Sequence, residues 1–445
     1  MSFQTGLSGL NASARNLDVI GHNIANANTT GMKMSRAEFS EVYASSLGAA
    51  GGTSSGIGVQ VATVAQMFTQ GNLKITGNQL DLAINGSGFF QVNGTDGVLY
   101  TRNGEFKLDK AGYIITNNGA RLQGYATDEL GELTNGREPK DLQLPTGAPI
   151  DPRATTSIGV TANLDARAEA LGPLSITNPA NAAAQDALSA EAKQYSTALN
   201  VYDAQGNAIP VQLYFVKNAP SGSVPDNSWE VYASLDGGRN AIPRSPATTP
   251  ENLSLGRLEF DGAGKLTSPN PFEMALQISA STPGVTAETT PSETVSATVN
   301  FGVDGDPTIT QFGGKFGVYD LVQDGYAKGD LTSIDIGENG VILARYSNGV
   351  SKAEGVVALG NFRNLQGLQP VNGGYWSETF ASGPMIPGSP QDSGLGLIRQ
   401  SSLEESNVDL TQELVNMIVA QRAYQANAQT IKTQDQVQQT LVNLR

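Results

Sequence analysis

The first apolar pattern in the chain is a stripe with helical spacing at the N-terminus. Its positions recur at intervals of four and three, the spacing of one face of a coiled-coil helix. The stripe consists of Phe3, Leu7, Leu10, Ala14, Leu17, Gly21 and Ile24. Gly6 and Gly9 weaken such a helix by up to about 1 kcal/mol each relative to Ala. We therefore expect this helix to form mainly against a partner.

A longer stripe closes the chain. Asp409 is suited to cap a helix that neither Gly nor Pro interrupts as far as residue 445. The seam positions of this helix are Leu410, Leu414, Met417, Gln421, Tyr424, Ala428 and Ile431. The two terminal stripes are predicted to be the self-assembly seams of a coiled-coil domain.

Between the two ends the pattern changes to alternation with a period of two. Residues 71–145 and 312–365 carry short alternating runs separated by Asn-Gly and Asp-Gly pairs, which favour hairpin turns. These pairs are Asn85-Gly86, Asp96-Gly97, Asn103-Gly104, Asn118-Gly119, Asp324-Gly325, Asn339-Gly340 and Asn348-Gly349. Both stretches are predicted to belong to one all-β domain.

Residues 146–311 are rich in Ala, Thr, Ser and Pro, and we interpret them as an inserted outer β part of one or more domains. Its strands are expected near 197–203, 209–217 and 229–235, and its loops near 165–195, 218–228 and 281–294. The predicted fold class is mainly β with terminal α-helices that form a coiled-coil domain around nested all-β domains. The predicted layout is an N-terminal helix plus extended linker (1–70), an all-β domain in two segments (71–145 and 312–365), the insertion (146–311), and a linker plus C-terminal helix (366–445).

Charge and composition exclude several classes of protein. The chain has 27 Lys and Arg against 42 Asp and Glu, and its net charge of −15 argues against nucleic-acid binding. It contains no Cys, which excludes disulfides and cysteine-ligated metals. No apolar run approaches the roughly 18 residues that span a membrane, so no membrane insertion is expected. The first 17 residues lack the basic and apolar regions of a cleaved signal peptide.

The residues give no sign of an active site. His22 is the one histidine, and it is interpreted as a polar position on a packed helix rather than a base or metal ligand. Two carboxylate pairs, Glu404 with Glu405 and Asp304 with Asp306, are not expected to be shielded from water, as an acid catalyst requires. We predict no catalytic, cofactor-binding or metal-binding residues, no cofactor, and no enzymatic activity.

Stretches at both ends and beside the insertion resemble the bacterial flagellar axial proteins, the family of rod and hook subunits. The matching stretches are residues 16–33 (NLDVIGHNIANANTTGMK), 76–92, 100–119 and 401–436. The signature positions among them are Asn23, Ile24, Ala25, Asn26, Thr29 and Gly31. The long insertion and residues 311–331 resemble the hook type more than the shorter distal rod type.

The resemblance implies a structural subunit of the bacterial flagellum that forms an extracellular helical homopolymer. Hook-type subunits form a flexible tube, a universal joint that transmits torque from rod to filament. The resemblance also implies export through the flagellar type III apparatus without a cleaved signal peptide. The distal rod protein, the hook cap and the hook-filament junction proteins are the implied partners. Two alternatives remain: a distal rod subunit, which is a rigid shaft, and a secreted β-rich hydrolase or adhesin.

Overall fold

The structure is a computed structural model with two long helices at its ends and strands between them. It describes residues 2–43, 56–95, 97–128, 131–134, 138–146, 149–171, 192–219, 227–238, 242, 254–269, 271–280, 282, 285, 290–291, 293–303, 306–392 and 394–443. Helix α1 spans Ser2–Ala25 and helix α2 spans Leu410–Asn443, and the two pack against each other. This architecture confirms the predicted fold class.

The strands are numbered in chain order. Those before the insertion are β1 (Ser35–Tyr43), β2 (Gly56–Gln66), β3 (Leu73–Ile75), β4 (Leu82–Asn85), β5 (Phe89–Gly94), β6 (Gly97–Thr101), β7 (Phe106–Leu108), β8 (Ile114–Thr116), β9 (Arg121–Tyr125) and β10 (Lys140–Asp141). Those that follow are β11 (Ser157–Asp165), β12 (Ser196–Tyr202), β13 (Ala208–Lys217), β14 (Ser228–Ser234), β15 (Gly256–Phe260), β16 (Leu266–Ser268), β17 (Glu273–Ile278), β18 (Val295–Asn300), β19 (Gly302–Val303), β20 (Asp306–Pro307), β21 (Ile309–Phe312) and β22 (Gly317–Gln323). The last are β23 (Leu331–Ile336), β24 (Val341–Tyr346), β25 (Ser351–Val357), β26 (Leu359–Asn361), β27 (Gln369–Val371), β28 (Tyr375–Ser377), β29 (Ile386–Gly388), β30 (Leu397–Gln400) and β31 (Ser402–Glu404).

The chain folds into two compact units. The first contains residues 1–148, 331–345 and 351–445, and the second contains residues 149–330 and 346–350. The insertion was predicted to end at residue 311, and this boundary is wrong. Strand β22 lies beyond it and pairs with β11 of the second unit. The alternation in β22 resembles that of the first unit, so pattern alone did not separate the two.

In the first unit, segments from both sides of the insertion form one 13-stranded sheet. Its main path is β23-β24-β25-β9-β5-β6-β28-β27. Phe90, Leu122, Ile342 and Val357 lie in the core beneath it. Strands β27, β28 and β29 also belong to this sheet, and β30 and β31 pair with β4 and β3. The prediction of a linker between residue 366 and the start of α2 is therefore wrong.

The linker predicted before residue 70 is also wrong over the described residues. Strands β1 and β2 form an antiparallel hairpin that packs on α1. The backbone N–H of Val59 donates a hydrogen bond to Ser8 Oγ at 3.3 Å. The alternation in these strands is built partly from Ala, Ser, Thr and Gly, which gives a weak signal. Most of the Gly- and Ser-rich stretch near residue 50 lies outside the described ranges.

The Asn-Gly and Asp-Gly pairs have mixed roles. Three of them join strands that pair with each other, as predicted: Asn118-Gly119, Asn339-Gly340 and Asn348-Gly349. Three others join strands that pair elsewhere: Asn85-Gly86, Asn103-Gly104 and Asp324-Gly325. Gly104 is required for a different reason, because a Cβ there would overlap the carbonyl oxygen of Leu82. Asp96 lies outside the described residues.

In the part of the chain that the structure describes, the second unit contains two five-stranded sheets and the small antiparallel pair β19-β20. One has the order β17-β18-β11-β21 with β22 beside β11, and the other runs β12-β13-β14-β15-β16. Both sheets contribute to one core that includes Trp229, Phe215 and Phe301. Strands β12, β13 and β14 begin and end within one residue of the predicted strands. Most of the predicted loop residues lie outside the described ranges.

Candidate assembly interface

Small and polar residues contribute to the contact between the two terminal helices, together with Ile431. A Cβ added to Gly6 would lie 3.1 Å from Ile431 Cγ1, and one added to Gly9 would lie 2.9 Å from Asn427 Oδ1. Asn427 Nδ2 also donates a hydrogen bond of 3.3 Å to Ser13 Oγ. The absence of a Cβ at the two glycines thus lets α2 approach α1 closely.

The observed seam is displaced by one residue from the predicted seam on both helices. On α1 the contacts come from Gly6, Gly9, Ser13 and Asn23. In each case the predicted stripe residue is the next one in the sequence: Leu7, Leu10, Ala14 and Ile24. On α2 the contacting or buried residues are Glu413, Ala420, Asn427 and Ile431. Apart from Ile431, each precedes a predicted seam position. Successive residues of a helix are about 100° apart around its axis, so the predicted stripes lie to one side of this contact.

Several predicted seam residues are exposed within the single chain. These are Leu7, Leu410, Leu414 and Tyr424. Others are half-buried: Leu10, Ala14, Leu17, Ile24, Met417, Ala428 and Ile431. The side chain of Phe3 lies outside the described part. The exposed residues therefore do not pack in a seam with the other terminal helix of the same chain. Their role in a seam with another subunit stays a prediction.

The first three turns of α2 carry an exposed apolar surface. Leu410, Leu414 and Ile418 follow one another at intervals of four, so they form one ridge on the helix. Val415 and Val419 lie beside that ridge. All five side chains, here called the outer row, are exposed, from 41% at Leu410 to 60% at Val419. Apolar side chains clustered in this way mark an interaction site.

The outer row carries no charge of its own. Between residues 410 and 419 the one charged residue is Glu413, which is buried. Its carboxylate accepts hydrogen bonds from Asn23 Nδ2 at 3.2 Å and from Asn416 Nδ2 at 3.0 Å. Helix α2 thus separates its polar contacts within the chain from an apolar surface that the chain leaves open.

A buried ion cluster joins both terminal segments to the β part of the first unit. Glu404, at the end of β31, is 0% exposed. Its carboxylate pairs with Lys33 Nζ at 2.6 Å and with Arg102 Nη1 at 3.0 Å. It also accepts the backbone N–H of Gly71 at 2.9 Å. The expectation that Glu404 is open to water is therefore wrong.

Burial shifts the pKa of both cations in this cluster. It lowers the pKa of the Lys33 ammonium group and of the Arg102 guanidinium group, against the opposing effect of the Glu404 carboxylate. Lys33 Nζ also donates to the carbonyl oxygen of Thr69 at 2.8 Å. Hydrogen bonds of this kind keep a buried charge from being left unpaired.

The signature residues Asn23 and Gly31 hold the N-terminal segment in place. Asn23 is almost fully buried and forms a pair of hydrogen bonds with the backbone of Ser35, at 2.8 and 2.9 Å. Gly31 has a φ of +71°, and its N–H donates to the carbonyl oxygen of Glu404 at 2.8 Å. A Cβ at Gly31 would lie 2.5 Å from the carbonyl carbon of Arg102, so only glycine fits there.

The remaining signature residues lie around the end of α1. Asn26 Nδ2 donates to the carbonyl oxygen of His22 at 2.9 Å, and its Oδ1 accepts from Thr29 Oγ1 at 3.4 Å. Ala25 is exposed and Ile24 is half-buried. The polar members of the signature therefore shape the turn that follows the helix.

Four of the residues considered for chemistry have described positions: His22, Glu404, Glu405 and Asp306. His22 is exposed and its Nδ1 lies 3.2 Å from Asn26 Nδ2, whereas Glu404 is bound in the ion cluster. Asp306 is described, and Asp304 lies outside the described ranges. The described residues contain no group of three or more His, Asp or Glu that could hold a metal ion. In the same ranges, neither helix is long and apolar enough to cross a membrane.

Four family models match successive parts of the chain. Residues 3–33 match the flagella basal body rod protein, and residues 83–163 match the D1 domain of the flagellar hook proteins FlgE/F/G. Residues 163–326 match the flagellar basal body protein FlaE D2 domain, and residues 399–444 match the C-terminal region of the basal body rod proteins FlgEFG. The matches thus cover both terminal helices and both units.

Whole proteins match over the full length. The chain is 36% identical to the flagellar hook protein FlgE of Escherichia coli K12 over 447 residues, and 37% identical to that of Salmonella typhimurium over 449 residues. Each alignment covers 100% of both chains. The crystal structure of Helicobacter pylori flagellar hook protein FlgE2 aligns with 74% of this chain and 100% of its own, at 16% identity and a TM-score of 0.48. On its full-length identity to these curated relatives, the chain belongs to the flagellar hook protein FlgE family of the bacterial flagellum.

Proposed function

We propose that the chain is the structural subunit of the flagellar hook and that it assembles with copies of itself into a flexible helical tube. In this role the tube acts as a universal joint that transmits torque from rod to filament. The observation that carries the assembly mechanism is the outer row of α2. It is an uncharged apolar surface on a terminal helix, and it stays exposed although the helix packs on α1 within the chain.

The division of α2 into two faces supports this mechanism. Full burial of a Leu, Ile or Val side chain contributes about 1.5–3 kcal/mol, and each residue of the outer row still exposes about half of its surface. A terminal helix of a second copy would bury that surface. The polar seam would meanwhile keep α1 and α2 in register within each copy.

The β units have a different role in the proposal. A tube that bends must let the outer parts of neighbouring subunits shift against each other while the helices stay packed. Small and polar contacts permit such shifts, whereas large apolar interfaces do not. We assign the permanent contacts to the helices and the shifting contacts to the β units.

The partners at the ends of the tube follow from the same role. We propose that the distal rod protein lies at one end, that the hook cap and later the hook-filament junction proteins lie at the other, and that the type III apparatus exports the chain. The role is structural rather than catalytic.

Leu414→Asp tests the assembly mechanism. The substitution places a carboxylate on the outer row, where no Lys or Arg lies between residues 410 and 419. Because burying an unpaired charge costs several kcal/mol, we expect the variant to form no tubes. Leu414 is about half exposed, so the fold of the single chain is expected to be unchanged. Tube formation is followed by electron microscopy and the fold by circular dichroism.

Gln429→Asp is the matched control. It introduces the same charge at an exposed polar position farther along α2, and we expect normal tubes. Leu10→Asp makes the corresponding test on α1. Normal tubes from Leu414→Asp, or equal failure of Gln429→Asp, would contradict the assembly mechanism.

A further inference from the structure

Phe380 has an unusual position for an aromatic residue. It lies in the first unit, in the loop between β28 and β29, and its side chain is fully exposed. Among the other exposed large apolar residues that the structure describes, Ile75 comes next at 82%. Phe380 therefore leaves a whole aromatic ring in solvent, although a buried ring is among the most stabilising contacts that a protein can make.

The loop around Phe380 is held by a dense set of hydrogen bonds. The N–H of Thr379 donates to Ser382 Oγ at 2.9 Å, and the N–H groups of Ala381 and Ser382 donate back to Thr379 Oγ1 at 3.1 and 3.3 Å. Thr379 Oγ1 also donates to the carbonyl oxygen of Gly367 at 2.6 Å. Since the backbone on both sides is fixed, Phe380 can enter a partner at little cost in ordering entropy.

A groove in the same unit has the character that an aromatic ring requires. It has a volume of about 570 Å³, and its polar wall includes His22, Asn26 and Thr29. Its apolar and aromatic lining includes Val64, Phe68, Leu365, Leu368, Val371 and Trp376. The rings of Phe68 and Trp376 are tilted against each other with their centroids 5.7 Å apart, and the half-buried Phe68 supplies the more accessible of the two rings.

We infer that Phe380 of one copy inserts into this groove of a neighbouring copy in the assembled tube. The inference rests on the proposed function, because that function makes a second copy the expected neighbour. In a helical polymer the ring of each copy would occupy the groove of the next, and such a head-to-tail contact continues along the tube. The turn Leu365–Gly367 supports both features, since Leu365 lines the groove and Gly367 accepts the bond that holds the loop.

Phe380→Ala measures the contribution of the ring. Tubes of the purified full-length chain are separated from free subunits by sedimentation, which gives the critical concentration for assembly. We expect this concentration to rise about 30-fold, the effect of losing one interface hot spot. The melting temperature of the single chain is expected not to change, because the ring is fully exposed in it. Phe380→Leu keeps an apolar side chain and is expected to raise the concentration less.

Cysteine cross-linking measures where the ring lies. The chain contains no Cys, so Phe380→Cys and Val371→Cys each introduce one thiol. Tubes assembled from a mixture of the two variants are expected to form a disulfide-linked dimer of one chain of each kind upon mild oxidation. Such a bond requires Cα atoms about 4.4–6.8 Å apart, and it has to join two copies. Lys110→Cys, at an exposed turn outside the groove, replaces Val371→Cys in the control mixture and is expected to give no mixed dimer.

The results separate this inference from the proposed function. Failure of the wild-type chain to form tubes would contradict both. Wild-type tubes together with an unchanged critical concentration for Phe380→Ala would contradict the inference alone. The inference is also overturned if tubes yield no mixed dimer between Phe380→Cys and Val371→Cys. It is likewise overturned if the control mixture of Phe380→Cys with Lys110→Cys yields as much mixed dimer.

Discussion

In the second unit Trp229, Phe215 and Phe301 are fully buried in a core shared by two sheets, whereas α2 in the first unit leaves Leu414 and Ile418 about half exposed. The second unit builds a continuous apolar core within one chain, although Phe312, Tyr319 and Val322 stay exposed. In the helix pair, glycine, serine and asparagine residues contribute to the internal seam beside Ile431, and a cluster of apolar side chains stays exposed on α2.

This difference distinguishes the contacts that fold the single chain from those that join one copy to another. A β unit with a complete core can fold before the chain meets another copy. A helix pair whose apolar side chains lack partners gains most of its stability from other copies, as amphipathic helices do from tertiary packing. The predictions below test whether stability and assembly are divided between the two regions in this way.

The largest expected effect on stability is that of Trp229→Ala. Replacing a fully buried Trp by Ala costs about 3–5 kcal/mol of unfolding free energy, through lost burial and the cavity left behind. Leu414→Ala makes a similar change on the outer row and is expected to cost about 0.5 kcal/mol or less in the single chain. Chemical denaturation followed by circular dichroism measures both. Equal costs for the two variants would contradict the comparison.

Glu404→Gln is expected to cost about 3 kcal/mol. The substitution removes the carboxylate that neutralises Lys33 and Arg102, and both cations are buried. Its neighbour Glu405 supplies the control, because that carboxylate is half exposed and lies 3.9 Å from Lys74 Nζ. Glu405→Gln is expected to cost 1 kcal/mol or less. Denaturation of the first unit is followed by Trp376 fluorescence in a Trp229→Phe background. Similar losses of unfolding free energy in Glu404→Gln and Glu405→Gln would show that the cluster does not hold the terminal segments in place.

A smaller effect is expected from Gly31→Ala. The added Cβ would meet the backbone of Arg102 and Asn103 in a conformation with positive φ, so we expect a loss of about 2 kcal/mol. Gly119 has a φ of +82° and no atom within 4 Å of an added Cβ. Gly119→Ala therefore isolates the cost of backbone strain, about 1 kcal/mol. If the two variants melt at the same temperature, the close approach at Gly31 does not contribute to stability.

The sequence pattern predicted both helices and their apolar stripes. Apart from Ile431, the predicted contact residues lie one position C-terminal to the residues that form the contact between the helices. The stripe search favoured Leu7, Leu10 and Leu414 because they are the large apolar residues. The contact within the chain instead uses Gly6 and Gly9, which the search treated only as weak points of the helix. A stripe in a single sequence does not reveal whether its partner is the same chain or another copy.

The ion cluster could not be predicted in the same way. Lys33 and Glu404 are separated by 371 positions, and each is charged like many surface residues. A usable signal does exist at Gly31, since a glycine two residues before Lys33 indicates close packing of the backbone. Which segment packs there depends on the register of β31 beside β3, and local pattern does not determine that register.

Amide hydrogen exchange on the full-length chain, as free subunits and as tubes, tests the central claim most directly. In free subunits we expect fast exchange over residues 2–25 and 410–443, because the polar seam leaves local opening of the helices inexpensive. In tubes the same residues are expected to become strongly protected, while β12, β13 and β14 exchange equally slowly in both states. Helices as strongly protected in free subunits as those strands would contradict the claim that assembly completes the helix pair.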